Sequence, residues 1–430
     1  MDWPGWFDID RRILTLGVAR MVDSLGNSFL IVVLPLYIAG GLNGDFLGLS
    51  ETLITGIVLS VFGFLNSFGQ PFAGRLSDRT GKRTVFILIG LAILAAGNIA
   101  YLLTSSYAAL VAIRIVQGLG VALTIPAVIA LVNEYTSGAA RGGSMGVYNT
   151  FRLLGFGSGP AIAGFVVHAG PYSLSLVGRT LSITGYEAAF YIAAFGTIAS
   201  FVLVALFVRD PDETEATAGE ELAVSFLAHD SERTLDPVFT LALASLFVAI
   251  SIALLETLQP QVNNRLNQTA FLFGIEFAAF MIPQAILQTP IGHASDSYGR
   301  KPFILWGLVL LAPVTLAQGL VQTPLGMIIV RAVQGLAGAM VFAPALALAG
   351  DFTKKGHSGT QLSLVTMMFG LGIAIGPLAS GYLVRYGFVA PFVFGTVLAV
   401  IGTVLVATQV YDPEVIASDS TTAEQPTPQD

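Results

Sequence analysis

The chain has no cysteine, only four histidines and four lysines, and little charge of any kind. Asp, Glu, Lys and Arg make up 11% of its 430 residues, where soluble domains carry roughly a quarter. Without cysteine there is no disulfide framework, no thiol nucleophile and no thiolate metal site. The histidines, His168, His229, His293 and His357, show no metal-ligand spacing, so neither a metal nor another cofactor is expected. A net charge of −7 argues against nucleic acid, which wants a basic face. There is no Ser-His-Asp arrangement and no polar stretch long enough for a soluble domain. An enzyme and a sensor with an output domain are therefore both disfavoured.

What the chain does have is apolar sequence, 54% of its residues. A helix crosses ~30 Å of hydrocarbon with about 20 such residues. Suitable runs lie near 13–38, 51–73, 84–104, 107–133, 144–168 and 186–208, then 237–258, 270–291, 303–323, 325–349, 359–384 and 390–411. The expected fold class is an all-α membrane protein with 12 transmembrane helices. Basic residues sort to one side of these runs: Arg11, Arg12, Arg75, Arg79, Lys82, Arg83, Arg141, Arg209, Arg233, Arg300, Lys301, Lys354 and Lys355. Only Arg179, Arg265 and Arg385 fall on the other. The positive-inside rule then puts both termini in the cytoplasm of a multi-pass plasma-membrane protein. The first run is too long for a cleavable signal and carries Arg20, Asp23 and Asn27,.

One half of the chain repeats the other. Gly74-Arg75-Leu76-Ser77-Asp78-Arg79-Thr80-Gly81-Lys82-Arg83 returns 218 positions later as Gly292-His293-Ala294-Ser295-Asp296-Ser297-Tyr298-Gly299-Arg300-Lys301. Arg114-Ile115-Val116-Gln117-Gly118 returns 217 positions later as Arg331-Ala332-Val333-Gln334-Gly335, and Gly159-Pro160 returns as Gly376-Pro377. Glu134 falls opposite Asp351 on the same offset. Such a repeat divides the chain into an N-terminal six-helix bundle at 1–208, a polar linker at 209–236, a C-terminal six-helix bundle at 237–411 and an acidic tail at 412–430 expected to be disordered,.

The segment from Gly74 to Arg83 resembles the loop between spans 2 and 3 of the major facilitator superfamily, Gly-x-x-x-Asp-Arg-x-Gly-Arg/Lys-Arg/Lys, and meets it at every named position. The later copy is partial, with His293 in place of Arg75 and Ser297 in place of Arg79. Gly74 and Gly81 permit tight turns, and Asp78 is suited to a helix start. The basic cluster of Arg79, Lys82 and Arg83 can reach Glu134, and Asp351 can meet Arg300 or Lys301 next to Asp296. These contacts would latch the halves together on the cytoplasmic side in one state and release them in another. A topology signal alone would need neither the glycines nor the acid.

Span 5 is similar to the signature of the family's 12-span drug:proton antiporters. It runs Gly146, Gly155, Gly159-Pro160, Ala163-Gly164, with Ala163 replacing a glycine. Plain small-residue packing is the alternative reading. Arg114-x-x-Gln117-Gly118 and Leu34-Pro35-Leu36-Tyr37 resemble further motifs of the same branch. The resemblance implies two pseudo-symmetric bundles that rock about a central site.

Charges in mid-membrane must be paired or functional. Asp23 lies about ten residues into span 1, ~16 Å deep, and Arg114 about seven residues into span 4, ~11 Å deep. A cluster of Asp23 with Arg114 or Arg152 is therefore expected to carry the coupled proton, because desolvation and a nearby arginine act oppositely on an acid's hold on a proton. Arg20, one turn from Asp23, is the local alternative and would make the pair structural. Asn27, Asn149, Gln117, Glu276 and Gln284 are candidates for a substrate cavity. The function expected is proton-coupled efflux of small amphipathic or drug-like compounds; the alternative on the same scaffold is a symporter or uniporter for a sugar, organic acid or other metabolite. The expected partners are a small-molecule substrate, protons and the lipid bilayer, with a single chain sufficing.

Overall fold

The computed structural model describes residues 10–40, 46–136, 141–176, 179–211, 234–352 and 358–411. Most of the expected linker, the expected tail, and Lys354, Lys355 and His357 lie outside these residues. The elements of the first half are α1 (Arg11–Ala39), α2 (Glu51–Thr80), α3 (Arg83–Ala100) with a 3-10 turn at Tyr101–Leu103, α4 (Tyr107–Glu134), α5 (Arg141–Ala169), β1 (Tyr172–Leu176), β2 (Arg179–Ile183) and α6 (Gly185–Phe207). The second half holds α7 (Pro237–Ala253), a 3-10 turn at Glu256–Leu258, α8 (Gln259–Leu266), α9 (Ala270–Tyr298), α10 (Arg300–Leu320), α11 (Pro324–Asp351), α12 (Ser358–Leu383) and α13 (Ala390–Gln409). Among the described residues 12 helical stretches are long and apolar enough to cross a membrane, with α7 and α8 forming one.

Local chemistry sets where the helices begin. Ser50, Ser106 and Thr323 accept a hydrogen bond from the backbone three residues on, and Thr184 forms a reciprocal capping box with Glu187,. Asp236 caps α7 with Pro237 in the first turn,. Three departures from the sequence reading stand out. First, α2 does not stop near residue 73 but continues through Gly74 and Asp78 to Thr80, and the turn falls only at Gly81, whose φ of 65° is left-handed,. Second, the chain after α7 stays in the membrane-spanning stretch as α8, so Glu256 lies inside the span, well short of its end. Third, the connection between α5 and α6 is an antiparallel hairpin, in register from Tyr172 opposite Ile183 to Leu176 opposite Arg179. The alternation Tyr-Ser-Leu-Ser-Leu is the strand signal that the reading passed over.

In the first half α1 packs on α5 and α6, α2 on α4, and α3 on α4 and α6; in the second α7 packs on α12 and α13, α9 on α11, and α10 on α11 and α13. Two helix pairs join the halves, α2 with α12 and α5 with α9. Both joints lie toward the end that carries the β-hairpin, here called the hairpin end; the opposite end, where α1 begins and α13 finishes, is the terminal end. A Cβ on Gly56 would sit 2.6 Å from the Pro377 carbonyl oxygen, one on Gly63 2.7 Å from Ala374, and one on Gly381 2.7 Å from the Thr52 carbonyl oxygen. Gly164 and Gly274 likewise meet the backbones of Ala270 and Pro160 across the second joint. One apolar cluster at this end draws Phe29, Val33 and Phe190 of the first half together with Leu255, Leu258, Val262 and Phe273 of the second. At the terminal end Gly146, Gly292 and Gly350 have open space beside them, and Phe68, Phe72, Ile282 and Ile286 are exposed. Among the described residues the close backbone approaches between the halves thus gather toward the hairpin end.

Candidate functional site

Asp23 is buried in mid-helix on α1, and Arg20 Nη1 donates to its Oδ2 at 2.7 Å. The spacing of three residues puts both side chains on one face of the helix. They open onto a crevice inside the first bundle, lined by Ile87, Leu91, Thr124, Val128 and Val204 from α3, α4 and α6. The other face of α1 packs on α5, where Gly155 and Gly159 approach the backbones of Met21 and Leu25. Asp23 makes no ion pair with Arg114 or Arg152, though Arg152 lies within electrostatic reach of Arg20 and, like Asp23, of the buried Tyr148. Arg152 Nε donates to Asn149 Oδ1 at 3.2 Å on its own helix. Arg114 is buried in α4, where its Nε donates to the Val58 carbonyl oxygen at 3.3 Å and its guanidinium lies 4.0 Å above the Phe62 ring. Matching depths had paired Asp23 with Arg114; direction around the helix separates them.

The cavity candidates also divide. Asn149 is exposed, and Asn27 and Gln284 are half-buried. Gln117 is fully enclosed between α3 and α4, donating to Asn98 Oδ1 at 2.9 Å and accepting from the Tyr101 hydroxyl at 2.7 Å. Asn98 donates in turn to Thr197 Oγ1 at 3.0 Å. This network ties α3, α4 and α6 together; its signal in the sequence was polar residues inside an apolar run. Glu276 is 0% exposed. Of the span 5 glycines, Gly155, Gly159 and Gly164 have no room for a side chain, whereas Gly146 meets nothing within 4 Å. Pro160 lies within α5, and its carbonyl meets Gly274.

At the terminal end the two repeated loops build matching ion triads. Arg83, the first residue of α3, donates from Nη1 to Asp78 Oδ1 on α2 and from Nε to Glu134 Oε1 on α4, both at 2.6 Å. In the second half Arg300 donates to Asp296 Oδ1 at 2.9 Å and pairs with Asp351. Arg79 stays exposed. Each triad closes three helix ends of its own bundle. Asp78 caps no helix. That work falls to Asp210, whose Oδ1 accepts from Thr84 N at 2.8 Å and so caps α3 from beyond the end of α6,.

The symmetry extends inward. Arg331, the counterpart of Arg114, lies 4.7 Å above the ring of Phe280, the counterpart of Phe62. Arg331 Nη1 donates to Gln334 Oε1 at 2.6 Å.

Comparison with known proteins gives one consistent answer. The family model described as Major Facilitator Superfamily matches residues 16–275 and 241–428. The quinolone resistance protein NorA of Staphylococcus aureus is 23% identical over 406 residues, covering 93% of this chain and 96% of that protein. Among solved structures, a bacterial homolog of the human lysosomal transporter Spinster, inward-facing and occupied, has a TM-score of 0.71 at 15% identity over 97% of this chain and 98% of its own. A peptide transporter in complex with alafosfalin has a TM-score of 0.73 at 16% identity over 94% and 95%. At such identities these structures speak for the fold alone.

Proposed function

The chain belongs to the Major Facilitator Superfamily, as a multi-pass membrane transporter of small molecules, and from that premise we propose that it drives efflux of small amphipathic compounds by proton antiport. The observation that carries the proposal is the buried Asp23–Arg20 pair beside a crevice lined mainly by aliphatic side chains. An ion pair placed in a dry interior is a poor way to gain stability and a good way to hold a proton that must later leave. The resemblance to NorA across nearly the full length supports a drug-like substrate.

The face that Asp23 presents refines the scheme. A cationic substrate in the space between the bundles would not touch Asp23, so coupling runs through conformation rather than direct competition. Protonating Asp23 frees Arg20, and the packing of α1 against α5 carries that change to the joint with α9. By linkage, a substrate that favours the state with the weaker hold on the proton expels the proton. Charge asymmetry assigns the terminal end to the cytoplasm of a plasma-membrane protein. The close approaches between the halves then lie toward the outer side. A single chain holds both bundles and needs no partner copy.

Purified full-length protein in proteoliposomes, with ethidium as a lipophilic cationic probe, tests this. An inside-acid gradient is expected to drive ethidium into the vesicles. Asp23→Asn should abolish the gradient's effect while leaving ethidium–ethidium exchange at zero gradient. Gradient-driven uptake that survives in Asp23→Asn overturns the proton role, and accumulation toward the alkaline side indicates symport instead.

A further inference from the structure

The C-terminal bundle holds buried charges that the scheme above leaves unused, Arg331 and Glu276 among them. α9 and α11 run in the same direction, and Gly335 packs on the carbonyl of Phe280. One turn back on each helix, Glu276 comes level with Arg331. Both are fully buried, at 0% and 1% exposure. No salt bridge joins them: the Gln268 side chain is the polar neighbour of Glu276, no hydrogen bond to either Glu276 oxygen meets full geometry, and Arg331 Nε has no acceptor. The guanidinium turns instead to Gln334 Oε1, at 2.6 Å, and to the Ile252 carbonyl oxygen, at 3.5 Å.

The repeat shows that this carboxylate is an addition. On the offset of 218 residues Glu276 stands where the first half has Val58. There the arginine donates from Nε to Val58's backbone carbonyl, and no carboxylate stands beside it at that position. A buried carboxyl persists either as a paired ion or as a neutral acid, and Arg331 is placed to be the partner that comes and goes.

We propose that Glu276 is a second protonation site, in the C-terminal bundle, working against Arg331 as Asp23 works against Arg20. The proposal rests on the reading of the chain as proton-driven. With the proton on Glu276, Arg331 binds Gln334 and the end of α7, as seen here. When the proton leaves, the guanidinium swings to the carboxylate and releases α7 where that helix ends. Glu256, buried in the turn after α7, is the other acid within electrostatic reach of Arg331. Gln268 stands at the start of α9, close to Glu276. From α5, Phe156, Gly157, Pro160, Ala161, Gly164 and Phe165 lie against α9, none of them titratable. His168 and Arg265, at the ends of α5 and α8, are exposed. α1 reaches α9 through Ile31.

Infrared difference spectroscopy of the full chain in lipid, acid minus alkaline buffer, reads the carboxylic-acid C=O stretch directly and needs no transported substrate. Glu276→Gln is expected to remove one titrating band, Asp23→Asn a different one, and Glu256→Gln assigns any band from Glu256. Arg331→Gln should move the pH at which the Glu276 band disappears while leaving the Asp23 band in place. A Glu276→Gln spectrum identical to the wild type overturns the proposal. Should that variant not fold, Glu276→Asp should shift the band, and an unshifted band overturns it equally. Loss of the band alongside failed ethidium transport by the wild type would retain the site and reject the efflux reading.

Discussion

Arg83 carries two ion pairs on one guanidinium. Its side chain is 7% exposed, while Asp78 and Glu134 are 36% and 21% exposed. Partial solvation of the two acids discounts the stabilisation. Replacing Arg83 with Gln leaves two neighbouring carboxylates without a cation, and a loss of about 1–3 kcal/mol is expected, read as a lower Tm in detergent. Arg83→Lys should recover only part, because an ammonium lacks the fork that serves both acids. Glu134 as a partner of Arg83 was legible in the sequence, whereas Asp78 was expected to serve a helix start and instead accepts from Arg83. The partner of Asp23 was legible too, as the residue three positions earlier. Depth along a helix can be counted from a sequence, whereas the face toward which a side chain points depends on which neighbours pack there. For that reason Gln117 was placed in a cavity and lies instead between α3 and α4.

Helices of this chain were readable because lipid demands long apolar runs, and nine of the twelve spans fall within about three residues of their expected places, while the second, seventh and eighth run seven or eight residues further,. The errors have a common cause in polar residues that remain helical. Ser77-Asp78-Arg79 reads as a loop yet forms the last turn of α2, and Gln259-Pro260-Gln261 reads as an exit from the membrane yet begins α8. Among the glycines of α5, spacing alone does not distinguish roles, but contacts do. Gly155→Ala would push a methyl group into the backbone of Met21 and is expected to cost about 1–3 kcal/mol. Gly146→Ala, facing open space, should stay within about 0.5 kcal/mol of the parent. Thermal unfolding of the two variants side by side checks the pair, and equal losses would contradict the packing described for α1 and α5.

For the whole molecule, the hairpin-end contacts must part if that end is ever to open. Gln261 Nε2 donates to Thr52 Oγ1 at 2.8 Å across the bundles. With no native cysteine, Thr52→Cys with Gln261→Cys supplies the only thiols. Linking them with a short thiol-reactive crosslinker is expected to stop ethidium flux, and cleaving the linker to restore it. Flux that continues in fully linked protein would show that this end need not separate. The bundles were visible in the repeat, but which end holds the close approaches could not be read from it, because both states use the same sequence. The two joints meet largely through glycine set against bare backbone or small side chains. At those glycines the faces have few interlocking teeth and can act as bearings for a tilting bundle, whereas the large side chains gathered around Phe29, Phe190, Leu258 and Phe273 are the teeth that must disengage.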